Sequence, residues 1–291
     1  MQDVIDIADL SEQDIETIYE RAAAIKATPS AYGDALDNRS LLMLFAKPST
    51  RTRVSFEAGM TRLGGHAINF STDQSQLSRD ESMADTAAVL SRYTDAIMAR
   101  LYDHETMREL ARHATVPVIN GLTDRLHPCQ ALADIFTMRE YGVSDGPIAY
   151  VGDGNNVAHS LMQVCDLLGV PCRVATPPNH APDSDIVERI ADGPVTVTTD
   201  PEAAVDGAKV VYTDVFVSMG DDASKVNDFE GYQVNQALLA HGDDPKFMHC
   251  LPAHRGEEVS AEVIDGPNSI VYDQAENRKH VQNAILYELL A

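Results

Sequence analysis

Short runs of apolar and β-branched residues alternate with helix-period patterns along almost the whole chain, and this alternation narrows the fold more than any other feature. Strand-like runs occupy 40–45, 67–70, 95–100 and 116–122, and the pattern restarts at 147–154, 172–176, 194–198, 209–213 and 246–250. Helical periods fill the gaps at 12–26, 52–63, 83–93, 104–114 and 156–169, the second of them stopped by Gly64-Gly65. Neighbouring parallel strands need a crossover of helical length, so strand–helix alternation predicts parallel sheets. The expected class is α/β: two domains, each an open parallel β-sheet flanked by helices, joined by crossing helices. One crossing helix is expected at 131–141, and the final segment AENRKHVQNAILYELLA is expected to return to the first half. The predicted domains are 1–133 with 275–291, and 134–274. A length of 291 residues suits two domains of ordinary size.

Charge narrows the partners. Lys and Arg total 22 against 45 Asp and Glu, a formal −23 spread along the chain with no single acidic tail. Such a surface repels nucleic acid and anionic membranes. An acid-rich surface poor in lysine suits a salty cytoplasm, where screening relieves self-repulsion, and a halophilic source is expected. No apolar run approaches the roughly 18 residues needed to span a bilayer. The amphipathic, acidic beginning has no secretory pattern, so the expected location is cytoplasmic. Cys129, Cys165, Cys172 and Cys250 form no CxxC pair, and the histidines form no HExxH, so neither disulfide nor metal is expected. Nucleotide cofactors are disfavoured too. There is no GxxxxGK[ST], and GDGNN at 152–156 fails the dinucleotide fingerprint because Val157 stands at the third glycine position.

The stretch KPSTRTRVSFE at 47–57 follows a strand and opens a helix. Ser49 can cap that helix, whose first N–H groups are unpaired and whose dipole is positive there. With Arg51 and Arg53 adding forked donors, the segment reads as a site for phosphate or carboxylate. Arg53 also stands four residues before Glu57, the spacing of a helical ion pair. HPCQ at 127–130 lies between a strand and a helix, where His127 can donate to a carbonyl oxygen and Gln130 can both donate and accept. Arg100 closes the strand DAIMAR. Asp214, at the end of a strand, can pair with an ammonium group, and Ser218 with the Met219 backbone can hold an α-carboxylate and α-amine.

PSTRTRVSFE resembles the carbamoyl-phosphate motif of the aspartate/ornithine carbamoyltransferase family. The resemblance continues in order through SQLSRDES, IMAR, HPCQALAD, GDGNN, DVFVSMG, HCLPAHRG and DQAENR, over nearly the full length. It implies that 1–133 with 275–291 binds carbamoyl phosphate and that 134–274 binds the amine. Ser49, Thr50, Arg51, Thr52, Gln76, Arg100, His127, Gln130, Cys250, Leu251 and Arg278 would then hold carbamoyl phosphate. Asn156, Asp214, Ser218 and Met219 would hold the amino acid, and Arg100, His127, Asp214 and Cys250 would act in the reaction. The SMG segment together with HCLP is similar to the branch that uses L-ornithine. The implied reaction carbamoylates the δ-amine of L-ornithine, giving citrulline and phosphate, with no cofactor. In the family the loop of Gln76 crosses a subunit boundary, which implies a homo-oligomer, a trimer or a multiple of trimers. Arg79 stands in that loop where the family carries a lysine or other basic residue, and Cys129 fills a variable position expected only to pack.

Overall fold

The computed structural model describes residues 1–72, 81–218 and 222–291. It divides into two compact units, Met1–Ala133 with Asn277–Ala291, and Asp134–Glu276.

The first unit holds a parallel sheet of β1 (Ser40–Phe45), β2 (His66–Ser71), β3 (Ala96–Arg100) and β4 (Val118–Leu122), in the order β2-β1-β3-β4. The central strand β1 reads SLLMLF, and Leu41 to Phe45 are buried, as a strand covered on both faces requires. Leu42, Leu44, Ile97 and Ala99 pack against Ala87 of α3 (Met83–Leu90) and against Met107 and Leu110 of α4 (His104–His113). The helix α1 (Glu12–Ala27) begins on a reciprocal cap between Ser11 and Asp14. The end of the chain is tied into this unit. Arg21 bonds Glu288 at 2.7 Å, and Tyr32 meets Tyr287 edge-on at 5.5 Å.

The second unit holds a parallel sheet of β5 (Ile148–Val151), β6 (Cys172–Ala175), β7 (Val195–Thr198), β8 (Val210–Thr213) and β9 (Lys246–His249), in the order β7-β6-β5-β8-β9. The helix α6 (Asn156–Leu167) follows β5. A core of Ala149, Val151, Val211 and Phe247 extends to Phe216 and Phe229, whose rings stack at 4.3 Å. The α/β reading with open parallel sheets therefore holds.

Helix starts differ from the sequence expectation. The helix after β1, α2, covers Thr50–Arg62 and begins two residues earlier than expected, because Ser49 caps it. The helix α5 covers Pro128–Glu140 and not 131–141, since proline is pre-organised for the first helical position. Gln130 thus lies inside the first turn of α5. The final helix, α11, covers Val271–Leu290. Among the described residues of the second unit, the short helices α7 (Ser184–Arg189), α8 (Pro201–Val205), α9 (Gln236–Leu239) and α10 (Ala261–Ile264) span too few residues to show a period.

Candidate active site

In the first unit β1 and β3 are neighbours although β2 separates them in sequence, so the chain leaves the sheet in opposite directions at that point. Ligands of open α/β sheets bind beyond the carboxyl ends of the strands at such a place. The register sets Phe45 beside Arg100, so the turn after β1 and the arginine ending β3 share one edge. Ser49 adopts an extended conformation and its Oγ accepts the Thr52 N–H at 3.3 Å. Thr50 and Arg51 are exposed, while Thr52 is fully buried. The Thr52 Oγ1 accepts from Arg278 at 3.1 Å, so α11 meets the start of α2. Arg53 turns away and pairs with Glu57 at 3.3 Å, which makes it a surface ion pair. Lys47 has no role that the sequence alone reveals. It is buried, pairs with Asp124 and lies over the Tyr102 ring at 4.3 Å, bracing the turn that carries Ser49.

His127 and Gln130 are buried at the end of β4. Burial, followed by the charges of Arg278 and Arg100, holds the His127 imidazole well below its ordinary pKa. It is therefore neutral near pH 7, able to donate a hydrogen bond without bringing a positive charge. Cys129 packs, as read from sequence. It is fully buried, its thiol donates to the Asn120 carbonyl at 3.5 Å, and burial pushes it up to about 12.

The second unit repeats the arrangement. β5 and β8 are neighbours across the reversal of strand order, and their ends carry GDGNN and Asp214. The Asp214 carboxylate is buried and doubly engaged. Its Oδ2 accepts from the Asn155 amide at 2.9 Å, and its Oδ1 accepts from the Cys250 thiol at 2.9 Å. Asn155, not Asn156, makes this contact. Its own Oδ1 caps α6 by accepting the Val157 and Ala158 N–H groups, which aims the amide nitrogen at Asp214. The sequence marks Asn155 only as a cap, the usual place for asparagine just before a helix, and gives no sign of its contact with Asp214.

Beyond β9, Leu251 sits at φ 59, a left-handed conformation uncommon for such a side chain. Its N–H donates to His249 Nδ1 at 2.9 Å, which makes Nε2 the protonated nitrogen, facing the buried Glu258 at 3.2 Å. Ligand atoms of Asp214, His249 and Cys250 lie within 4.8 Å of one another, as do those of His254, Glu257 and Glu258. In the first set both imidazole nitrogens and the thiol are already hydrogen-bonded, which accounts for the cluster without an ion. Ser218 is half-buried; Gln76, Arg79 and Met219 lie outside the described residues.

The family profile for the aspartate/ornithine carbamoyltransferase carbamoyl-P binding domain matches residues 2–140, and that for the Asp/Orn binding domain matches 144–289. The chain belongs to the aspartate/ornithine carbamoyltransferase family. A member of that family, the catabolic ornithine carbamoyltransferase of Halobacterium salinarum, is 58% identical over 100% of this chain and 99% of its own. The ornithine carbamoyltransferase of Methanoculleus marisnigri is 50% identical over 100% of this chain and 97% of its own. Among solved structures, the family member from Pyrococcus furiosus, an ornithine carbamoyltransferase, superposes with a TM-score of 0.94 at 48% identity. That match covers 99% of this chain and 97% of the other.

Proposed function

We propose that this carbamoyltransferase-family chain transfers the carbamoyl group of carbamoyl phosphate to the δ-amine of L-ornithine, giving L-citrulline and phosphate. Membership of the family and the named relatives support the reaction, and the observation that carries the choice of an amine acceptor is the Asp214–Cys250 pair. A buried carboxylate with one oxygen on a thiol and the other on an amide keeps lone pairs for a substrate N–H.

The first unit is assigned to carbamoyl phosphate. Phosphate rests on Ser49, Thr50, Arg51 and Thr52 at the start of α2, where free N–H groups and the helix dipole favour an anion. Arg100, Thr52 and the neutral His127 donate to the carbonyl oxygen as charge grows on it, with Gln130 on the carbamoyl amide and Arg278 adding positive charge. Donors placed in advance this way are each worth about 10²–10³ in rate. The second unit is assigned to ornithine, with Asp214 and Cys250 orienting the δ-amine and Asn156, Ser218 and Met219 on the α-substituents. Gln76, Cys250 and Leu251 are further assigned to carbamoyl phosphate. A neutral amine attacks the carbonyl carbon, the new N–C bond forms, the C–O bond to phosphate breaks, and the departing phosphate takes the amine proton. No cofactor enters this balance.

We also propose a homo-oligomer, a trimer or a multiple of trimers, located in the cytoplasm. Val54 on α2 and Ile68 on β2 are exposed apolar side chains that a second copy would cover, and no helix among the described residues is long and apolar enough to cross a membrane. Sedimentation at high salt reads the assembly; a monomer at micromolar concentration overturns that part. The reaction is tested by product formation from carbamoyl phosphate with ornithine, N-acetylornithine, putrescine or aspartate. Ornithine is expected to be preferred by orders of magnitude in kcat/KM, and preference for another amine contradicts the assignment.

A further inference from the structure

Three motifs far apart in sequence end on residues that the proposed reaction leaves without a role: Asp134 closes HPCQALAD, His249 opens HCLP, and Gln274 stands in DQAENR. They meet through one side chain. Gln274 is fully buried; its Nε2 donates to Asp134 Oδ1 at 2.7 Å, and its Oε1 accepts the backbone N–H of His249 at 2.9 Å. Asp134 is itself fully buried.

Topology explains why a side chain is needed there. β9 is the edge of its sheet, so alternate N–H groups along it face away from β8. The first of these, on Phe247, is taken by the Asn268 carbonyl, and Ile270 N–H returns to the Phe247 carbonyl. This pairing sets the start of α11 alongside β9, and α11 supplies Gln274 in its first turn to the next outward N–H, that of His249. A buried N–H left unpaired keeps its full desolvation penalty, so the position selects an acceptor. Asp134 fixes which way the amide faces. A reversed amide would set its oxygen against a carboxylate and its NH₂ against an N–H.

We infer that Gln274, oriented by Asp134, is a positioning residue for the reaction: it fixes the backbone at His249 and thereby holds Cys250 where its thiol reaches Asp214. The inference rests on the proposed role of Asp214 and Cys250. Gln274→Met keeps the volume without either hydrogen bond, and Gln274→Glu opposes two carboxylates. The double variant Asp134→Asn with Gln274→Glu restores both bonds, the one between residues 134 and 274 with reversed polarity, since asparagine donates and the glutamate accepts from both sides.

Both single variants are expected to lower kcat about tenfold to a hundredfold, with a smaller loss of carbamoyl phosphate affinity, because Cys250 and Leu251 shift while the phosphate donors at the start of α2 do not. The double variant is expected to return to within about threefold of the parent. The rate of Cys250 alkylation by iodoacetamide follows the same order without depending on turnover, because the other three cysteines are buried. If the singles alkylate and turn over like the parent, or the double is no better than Gln274→Glu, the inference fails. Parent protein inactive toward ornithine, with alkylation still tracking the variants, would overturn the reaction and leave the positioning intact.

Discussion

At the scale of residues, one side chain can serve two tasks, and substitution separates them. Asn155 caps α6 with its oxygen and holds Asp214 with its nitrogen. Serine caps as well as asparagine but has no amide to reach the carboxylate. Asn155→Ser is expected to leave the melting temperature within a few degrees and to raise the ornithine KM about tenfold, the size of one charged hydrogen bond. An unchanged KM would remove Asn155 from the amine site. Arg51→Ala is expected to weaken carbamoyl phosphate binding far more than ornithine binding; equal effects in steady-state kinetics would contradict the phosphate assignment. His127 carries a pH dependence of definite sign. Its folded pKa lies below the ordinary 6.5 through burial and two arginines, so the unfolded chain binds more protons there. The contribution to stability is complete above about pH 6.5 and declines as pH falls toward the folded value. Urea unfolding at pH 8 and pH 5.5 should show a smaller difference for His127→Gln than for the parent. Candidate positions were legible in the sequence where a strand end or helix start confines the geometry, as at Ser49, which caps α2, and Arg100, which ends β3. Asn155 and Lys47 were not, because their roles depend on contacts with Asp214 and Asp124, which are remote in sequence.

At the scale of elements, α1 could be read from the period its buried face imposes, and β1 from the unbroken apolar run of a strand covered on both faces. Helix starts were displaced where a cap or proline set the boundary, as Ser49 and Pro128 do for α2 and α5. The return of α11 to the first unit was expected from its sequence, but its close approach to α2 was not legible, because it turns on the absence of a side chain. A Cβ added at Gly59 would stand 2.2 Å from Asn283 Oδ1. Gly59→Ala is therefore expected to destabilise the protein by about 1–3 kcal/mol, as overpacking does, despite the better helix propensity of alanine. Urea denaturation measures it, and a stabilised variant would show that α11 yields freely at that contact.

At the scale of the whole molecule, charge sets the working conditions. A net −23 repels itself most where screening is weakest, with a Debye length of about 10 Å at 0.1 M salt and about 3 Å at 1 M. The melting temperature is expected to climb steeply between 0.1 M and 3 M KCl; a value independent of salt would contradict adaptation to a salty cytoplasm. The two-unit α/β plan was legible because the strand–helix alternation stops and restarts near residue 147. The proposed reaction makes one new bond, between the δ-nitrogen of ornithine and the carbonyl carbon of carbamoyl phosphate. Incubating the protein with ¹³C-carbamoyl phosphate and δ-¹⁵N-ornithine tests it by carbon NMR. A ureido carbon signal split by one-bond coupling to ¹⁵N is expected. A new carbonyl signal without that splitting, or none above the rate of spontaneous breakdown, would contradict it.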